Sequence, residues 1–275
     1  MNLRRLFLLL ALAACVLPSA RGADAGRLKV QVLAEAFPPL QYADPSGVAH
    51  GASYRIVMAA LAEVAHQTPL DVAPIEFVPM RRALQSATVQ PNIIVLSVAR
   101  TPQREQQFRW LAPVSPYELW IYQYKDRGIA PVKDFSQLRD QGLRFGVQTG
   151  SNFHEWLLRQ GVGSNGENSS IDPVPQNGQN LGKAQLGRID LFAHPEISLA
   201  YRASEHGLRA ADFEKVMLVE PLSKPLWVIA SRGSDARLVA ALSQRLQKMR
   251  QSGQAEHIRL DAIREFNAMH HLDAK

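Results

Sequence analysis

The chain has 275 residues, 46% apolar and 20% charged, enough for one large domain or for two lobes of about 100–150 residues each. That ordinary globular balance excludes a disordered or low-complexity chain, and the sequence shows no internal repeat. The formal net charge of +6 comes without a lysine/arginine block, and the aromatics are not interleaved with basic residues, which excludes a nucleic-acid platform and points at most to small anionic ligands.

The first predicted element is a leader. Met1 to Arg5 is a positive segment, Leu6 to Leu17 an apolar stretch too short to span a bilayer comfortably, and Pro18 breaks it. Ala23-Asp24-Ala25 supplies small residues at the usual cleavage spacing, so residues 1–25 are expected to be a signal peptide. Leu12-Ala13-Ala14-Cys15 also matches a lipobox ending in the only cysteine, which keeps a lipid anchor at Cys15 as the alternative. The apolar run continues through Val16 and Leu17, which favours ordinary cleavage. Either way the chain is exported, and the mature part has no disulfide and no transmembrane segment. Export without cysteines suits a bacterial periplasm.

Next, Leu28 to Leu33 alternates like a strand and runs into the turn Phe37-Pro38-Pro39-Leu40-Gln41-Tyr42. Asp44-Pro45-Ser46-Gly47 reads as a hairpin-type loop, and Tyr54 to Ala65 carries apolar residues at helical spacing. Ile75 to Val78 is a short strand and Pro79 to Ala87 a helix with proline in its first turn. Arg81 and Arg82 lie at its start, where one of them can point into a cleft or both can sit on a solvated face. Asn92 to Val98 is a buried strand.

Residues 96 to 117, LSVARTPQREQQFRWLAPVSPY, carry the most functional information. Thr101-Pro102 sits three residues before Arg104, just past the apolar run, and Pro116-Tyr117 ends the segment. An arginine at a strand-to-helix turn presents a planar fork of donors to a carboxylate, with helix N-terminal amides beside it. That arrangement captures a small anion; the plain alternative is an arginine on a solvated helix face.

Glu118 to Lys125 alternates Trp120, Tyr122 and Tyr124 on one face of a strand, and Asp134 to Leu138 reads as a short helix. Leu143 to Asn152 is a strand running into a Gly-Ser turn, followed by a helix over Phe153 to Gln160, whose start at Ser151 and Asn152 is either an N-cap or an anion cradle. Residues 161 to 180 read as a surface loop rich in Gly, Asn and Ser. Gly187 to Ala193 starts a strand, Leu226 to Ala230 is another, and Leu238 to Ser252 is an amphipathic helix ending at Gly253.

Thr-Pro-x-Arg after an apolar strand, then an aromatic, then Pro-Tyr, resembles the periplasmic solute-binding proteins of the amino-acid-binding branch. Arg100-Thr101-Pro102-Gln103-Arg104-Glu105 with Phe108 and Trp110 is similar to a branch with an Arg-Thr-Pro-x-Arg-Glu element. The resemblance covers most of the mature chain and implies an α/β, two-lobed periplasmic-binding-protein type II fold with a hinge of two crossing strands. It places lobe 1 at 26–119 and 225–275 and lobe 2 at 120–224. Among ligand-facing positions it puts Arg104, Phe37, Ser97, Ala99, Ser151 and Asn152, with Glu35, Arg82 and His194 as further candidates. Phe37 would stack on the ligand, and the Ser151 and Asn152 amides would face Arg104 across the cleft.

Departures from the family pattern bear on the ligand. Relatives that bind α-amino acids usually hold the ammonium with an aspartate five residues after the Gly-Arg-x-Asp aspartate. Counting from Asp190, that position is Pro195, which cannot accept from a cation. Ala34 stands where a strand-end aspartate often sits, and Ala99 where a hydroxyl often helps. The carboxylate clamp survives while the amino-acid assignment weakens. His194, Glu196 and Glu35 are near enough in sequence to substitute, and His194 is the one group there able to change charge near neutral pH.

The expected function is capture of a small, carboxylate-bearing solute by lobe closure and delivery to an ABC permease. The alternatives are a ligand-sensing partner of a membrane sensor, or a periplasmic dehydratase-like enzyme on the same fold. Glu105, Glu118, Glu155 and Glu196 form no paired-carboxylate motif, and neither Gly-x-Ser-x-Gly nor His-Glu-x-x-His occurs. His270-His271 lacks partners at ligand spacing and reads as an exposed terminal pair. No cofactor, metal or nucleic-acid partner is implied, and a monomer is expected.

Overall fold

The computed structural model describes residues 26–163 and 169–272. The expected signal peptide and Cys15 lie outside the described residues. Two sheets organise the chain. The first is built from β1 (Leu28–Ala34), β4 (Leu70–Val72), β5 (Glu76–Phe77), β6 (Ile93–Ala99), β7 (Phe108–Ser115) and β13 (Leu226–Ser231), in the order β4-β1-β6-β13-β7 with β5 extending β1. β1, β4, β5 and β6 are parallel, while β13 runs antiparallel between β6 and β7. A small hairpin, β2 (Tyr42–Ala43) with β3 (Ala49–His50), lies off this sheet and is turned by the predicted Asp44 loop.

Both faces of the first sheet are covered, which explains why its strands read as near-continuous apolar runs. α1 (Ala52–Ala65) buries Ile56, Val57, Ala60, Leu61 and Val64, a helical stripe. α7 (Ala236–Gln251) buries Leu238, Leu242, Leu246 and Met249 at the same spacing, and the two stripes pack on Val30, Val32, Ile94 and Val228. Each such side chain contributes about 1.5–3 kcal/mol of burial free energy. On the opposite face, α2 (Met80–Val89) sets Ala83 and Ala87 against Leu33, Val95 and Ile229.

The second sheet contains β8 (Leu119–Tyr124), β9 (Arg144–Gln148), β10 (Ser170–Val174), β11 (Leu191–Pro195) and β12 (Phe213–Leu218), ordered β10-β9-β11-β8-β12. α3 (Ser136–Arg139) and α4 (Asn152–Arg159) cover one face through Leu138, Trp156 and Leu157. α5 (Gln179–Gln185) and α6 (Glu196–Ser204) cover the other through Leu181, Ala184 and Leu199. Gly146 in β9 has no room for a side chain, because a Cβ there would lie 2.5 Å from Asn180 Oδ1 and 2.4 Å from Ile189 Cδ1. α5 therefore packs directly on the β9 backbone.

The chain passes between the sheets twice, from β7 to β8 and from β12 back to β13. The passages are bonded side by side: Val219 N–H donates to Leu119 O at 2.8 Å, and Leu119 N–H donates to Ser223 Oγ at 3.0 Å. This is the two-lobed α/β architecture that the sequence implied.

Three expectations need correction, and one helix was not foreseen. Thr101–Gln107 is a turn between strands β6 and β7, not the start of a helix, because Phe108 begins the strand that pairs with β13. Residues 161–180 are not all loop, since β10 lies within them and pairs with β9 in parallel. The helix that precedes Gly253 ends there as expected. The left-handed backbone of Gly253 (φ +78°) connects α7 to a further helix, α8 (Gln254–Met269), which packs Ala262 and Phe266 inward. His270 is half-buried, its ring 4.2 Å from Phe266 and 5.0 Å from Tyr201 of α6, so helix α8 touches the second lobe as well as the first.

Candidate ligand-binding cleft

A cavity of about 360 Å³ lies between the lobes, within the range for small organic ligands. It sits beyond the carboxyl ends of β1, β6, β9 and β11, where parallel strands leave a crevice. The first lobe contributes Glu35, Phe37, Ser97, Ala99, Thr101 and Arg104 to its lining; the second contributes Ser151, Asn152 and Pro195.

Arg104 is half-buried on the turn after β6. Its Nη1 donates to Ala99 O at 3.2 Å, and no carboxylate pairs with it among the described residues. Burial without a counter-charge holds its pKa below the usual arginine range. The side chain is thus a partly desolvated cation with no counter-charge among the described residues. Arg100 and Glu105 do different work. Arg100 pairs through two nitrogens with the Glu105 carboxylate, and its guanidinium lies 4.5 Å from the Trp227 ring centre and 5.2 Å from that of Trp110. Trp110 Nε1 donates to Glu105 O at 3.2 Å, which closes the turn from below.

Ser97 is set by a kink in β6. Val98 pairs with Trp227 and Val95 with Ile229, so Leu96 and Ser97 together face the single residue Val228. Ser97 adopts φ +55°, an uncommon left-handed conformation for a non-glycine. Its Oγ donates to Gln41 Oε1 at 2.7 Å, and Gln41 Nε2 donates to Glu35 O at 3.2 Å. The bulge thereby fastens the Phe37–Gln41 turn to the strand end. Phe37 meets Tyr117 edge-on at 6.4 Å, and burial pushes the Tyr117 hydroxyl up to about 12, so that it remains a donor at working pH.

In the second lobe, Ser151 is the N-cap of α4: its Oγ accepts from His154 N–H at 3.1 Å. The Ser151 amide is already used, donating to Gln148 O at 3.1 Å, and the Gly150 amide donates to His154 Nδ1. The expected cradle of Ser151 and Asn152 amides therefore shifts by one residue. Asn152 and Phe153, both lining the cavity, carry the amides without a bonded partner among the described residues.

Two candidates fall outside the lining. His194 is 3% exposed beneath the β11 end, and its Nδ1–H donates to Pro195 O at 2.9 Å. Burial pushes its pKa down to about 4, so it is neutral near pH 7 and cannot serve as a charge-changing cleft group there. Arg82 is exposed on α2 and lies 3.9 Å from Glu76, the solvated-face outcome. Glu35 lines the cavity from an exposed position, whereas Glu196 pairs with Lys215 instead. Asp190 binds Arg144 through both oxygens, at 2.8 and 3.0 Å, and anchors β9 to the start of β11.

Sequence reading missed Gln41, Met80, Tyr117, Gln148, Asn177 and Lys224 as lining residues. Tyr117 and Lys224 belong to the two passages between lobes, and their adjacent prolines, Pro116 and Pro225, were the available signal. Asn177 reaches the cavity because its Nδ2 donates to Ala193 O at 3.0 Å.

The family model for bacterial extracellular solute-binding proteins, family 3, matches residues 28–261. By structure the chain is similar to the probable amino-acid ABC transporter extracellular-binding protein ytmK from Bacillus subtilis, with TM-score 0.67 and 16% identity over 86% of this chain and 97% of that one. It is similar to a histidine kinase sensor domain with similarity to periplasmic binding proteins, with TM-score 0.65 and 20% identity over 86% and 96%. An ancestral amino acid-binding protein, a precursor of cyclohexadienyl dehydratase, gives TM-score 0.62 and 17% identity over 87% and 97%. At such identities the likeness carries the fold and no ligand. No curated protein matches the sequence significantly.

Proposed function

The chain belongs to the bacterial extracellular solute-binding proteins of family 3, and from that premise we propose that it captures a small carboxylate-bearing solute in the periplasm and delivers it to an ABC transporter. The observation that carries this reading is Arg104, half-buried in the cleft without a counter-charge. Across the cavity, the amides of Asn152 and Phe153 begin helix α4 with their hydrogen bonds unused. A carboxylate bound by the Arg104 fork and by those amides touches both lobes at once, so it favours the closed arrangement by its differential contacts.

Binding is favoured over catalysis because the lining offers one carboxylate, exposed Glu35, and no histidine. General acid–base chemistry needs a positioned proton carrier beside the reacting atoms. No helix among the described residues is long and apolar enough to cross a membrane. We place the lobes at 26–119 with 225–275 and at 120–224, with the leader removed on export. The test is a thermal-shift screen of carboxylates on the wild type and on Arg104→Ala. A hit should stabilise the wild type and lose that effect in the variant; stabilisation undiminished in Arg104→Ala would refute the clamp.

A further inference from the structure

Resting on the carboxylate reading of Arg104, we propose that Lys224 is a second anion-binding group and that the ligand is a dicarboxylate. The lining holds three cations, Arg100, Arg104 and Lys224, against one carboxylate, Glu35. Arg100 is neutralised by Glu105 and covered by Trp110 and Trp227. Neither Arg104 nor Lys224 has an ion-pair partner among the described residues, and Glu35 pairs with neither. The cleft therefore presents two positive charges without protein counter-charges.

Lys224 is placed by the return passage, not by a mobile surface loop. Just before it, Ser223 Oγ bridges the two passages, accepting from Leu119 N–H at 3.0 Å and donating to Val219 O at 2.9 Å. Just after it, Pro225 restricts the backbone, and Leu226 enters β13 and lines the cavity. Pro221 and Leu222 line the same wall, so Lys224 stands beside an apolar surface at the cavity. The remaining polar lining, including Gln148, Asn152 and Asn177, is neutral. Closing the lobes over both cations removes water from each, and an unpaired cation in that setting is strongly disfavoured. A monocarboxylate answers Arg104 and leaves Lys224 bare, whereas a dicarboxylate answers both.

The experiment uses the mature protein with malonate, succinate, glutarate and adipate, each matched to the monocarboxylate of equal carbon number, followed by calorimetry. At least one diacid should bind about tenfold or more tightly than its monoacid, the effect of one charge-assisted contact. Lys224→Gln should erase that ratio by weakening diacids far more than monoacids, while leaving the apo melting temperature unchanged, since Lys224 is exposed and unpaired. Ratios near one at every chain length, a ratio that persists in Lys224→Gln, or no diacid binding at all would overturn the proposal. Arg104→Gln separates the two readings. If it abolishes equal binding of monoacids and diacids, only the dicarboxylate inference fails; if diacids bind it undiminished, the carboxylate clamp itself fails.

Discussion

Arg100 and Glu105 clasp the turn that carries Arg104. The two side chains pair through two contacts, and the Trp110 indole donates to the Glu105 carbonyl, so the turn is held by side chains other than Arg104. Arg104 itself adds the Nη1 contact to Ala99 O. One arginine of the Arg-Thr-Pro-x-Arg-Glu element is thus committed to structure, which leaves the other available to the cleft.

Glu105→Gln is expected to separate these duties. The pair is partly exposed, so the unfolding free energy should fall only slightly. Ligand affinity should fall by a larger factor because the turn loses its registration. Urea midpoints and calorimetry on the same preparation make the comparison; equal losses in both would mean that the clasp serves stability alone.

Arg104→Lys keeps the charge and removes the planar fork. If a bidentate carboxylate is the ligand, affinity should drop by roughly tenfold or more while apo stability changes little, since the charge stays in place. Isothermal titration reads the loss; a lysine variant with full affinity would point to a point-charge contact instead.

Ser97→Ala removes the donor to Gln41 Oε1, in a side chain only 1% exposed. An unsatisfied buried amide oxygen costs about 1–3 kcal/mol, which should appear as a lower denaturation midpoint. The Phe37–Gln41 turn should also lose its fastening, visible as faster amide exchange at Leu40 and Gln41 than in wild type.

His194 predicts an acid limb of stability. Its folded-state pKa of about 4 lies below its ordinary 6.5, so between those values the unfolded chain takes up a proton that the folded chain refuses. Stability is fully present above about pH 6.5 and should decline by roughly 3 kcal/mol as the pH falls towards 4. His194→Gln should flatten that decline when unfolding free energies at pH 7 and pH 5 are compared. Equal slopes in the two proteins would assign the acid sensitivity elsewhere.

Much of the fold was legible because apolar period and turn chemistry agree: β1, β6, α1, α4 and α7 follow from alternation, helical stripes and caps. The turn at Arg104 was not, because Thr-Pro followed by polar residues opens helices and tight turns alike, and only pairing of Phe108–Ser115 with β13 decides between them. β10 was hidden in a polar stretch because it is an edge strand, held by its ladder with β9 instead of by apolar content. The cleft was half legible. Arg104, Phe37 and Asn152 sit on recognisable turns, while Tyr117 and Lys224 join them only through two passages distant in sequence. His194 misled because sequence distance to Pro195 says nothing of which side of a strand faces the cavity.

The position of β13 between β6 and β7 has a consequence for biogenesis. An emerging chain makes β6 and β7 early, but their shared neighbour, Leu226–Ser231, arrives only after the whole second sheet has been synthesised. Until then two apolar strands joined by a short turn stand next to each other with the centre of their sheet missing, and pairing them directly would form a non-native hairpin. A chain truncated before Leu226 should expose the Phe108–Ser115 edge to protease or chaperone, whereas one extended through α7 should protect it. Secretion in an unfolded state would postpone this hazard to the far side of the membrane, where the full length is present before the sheet has to close.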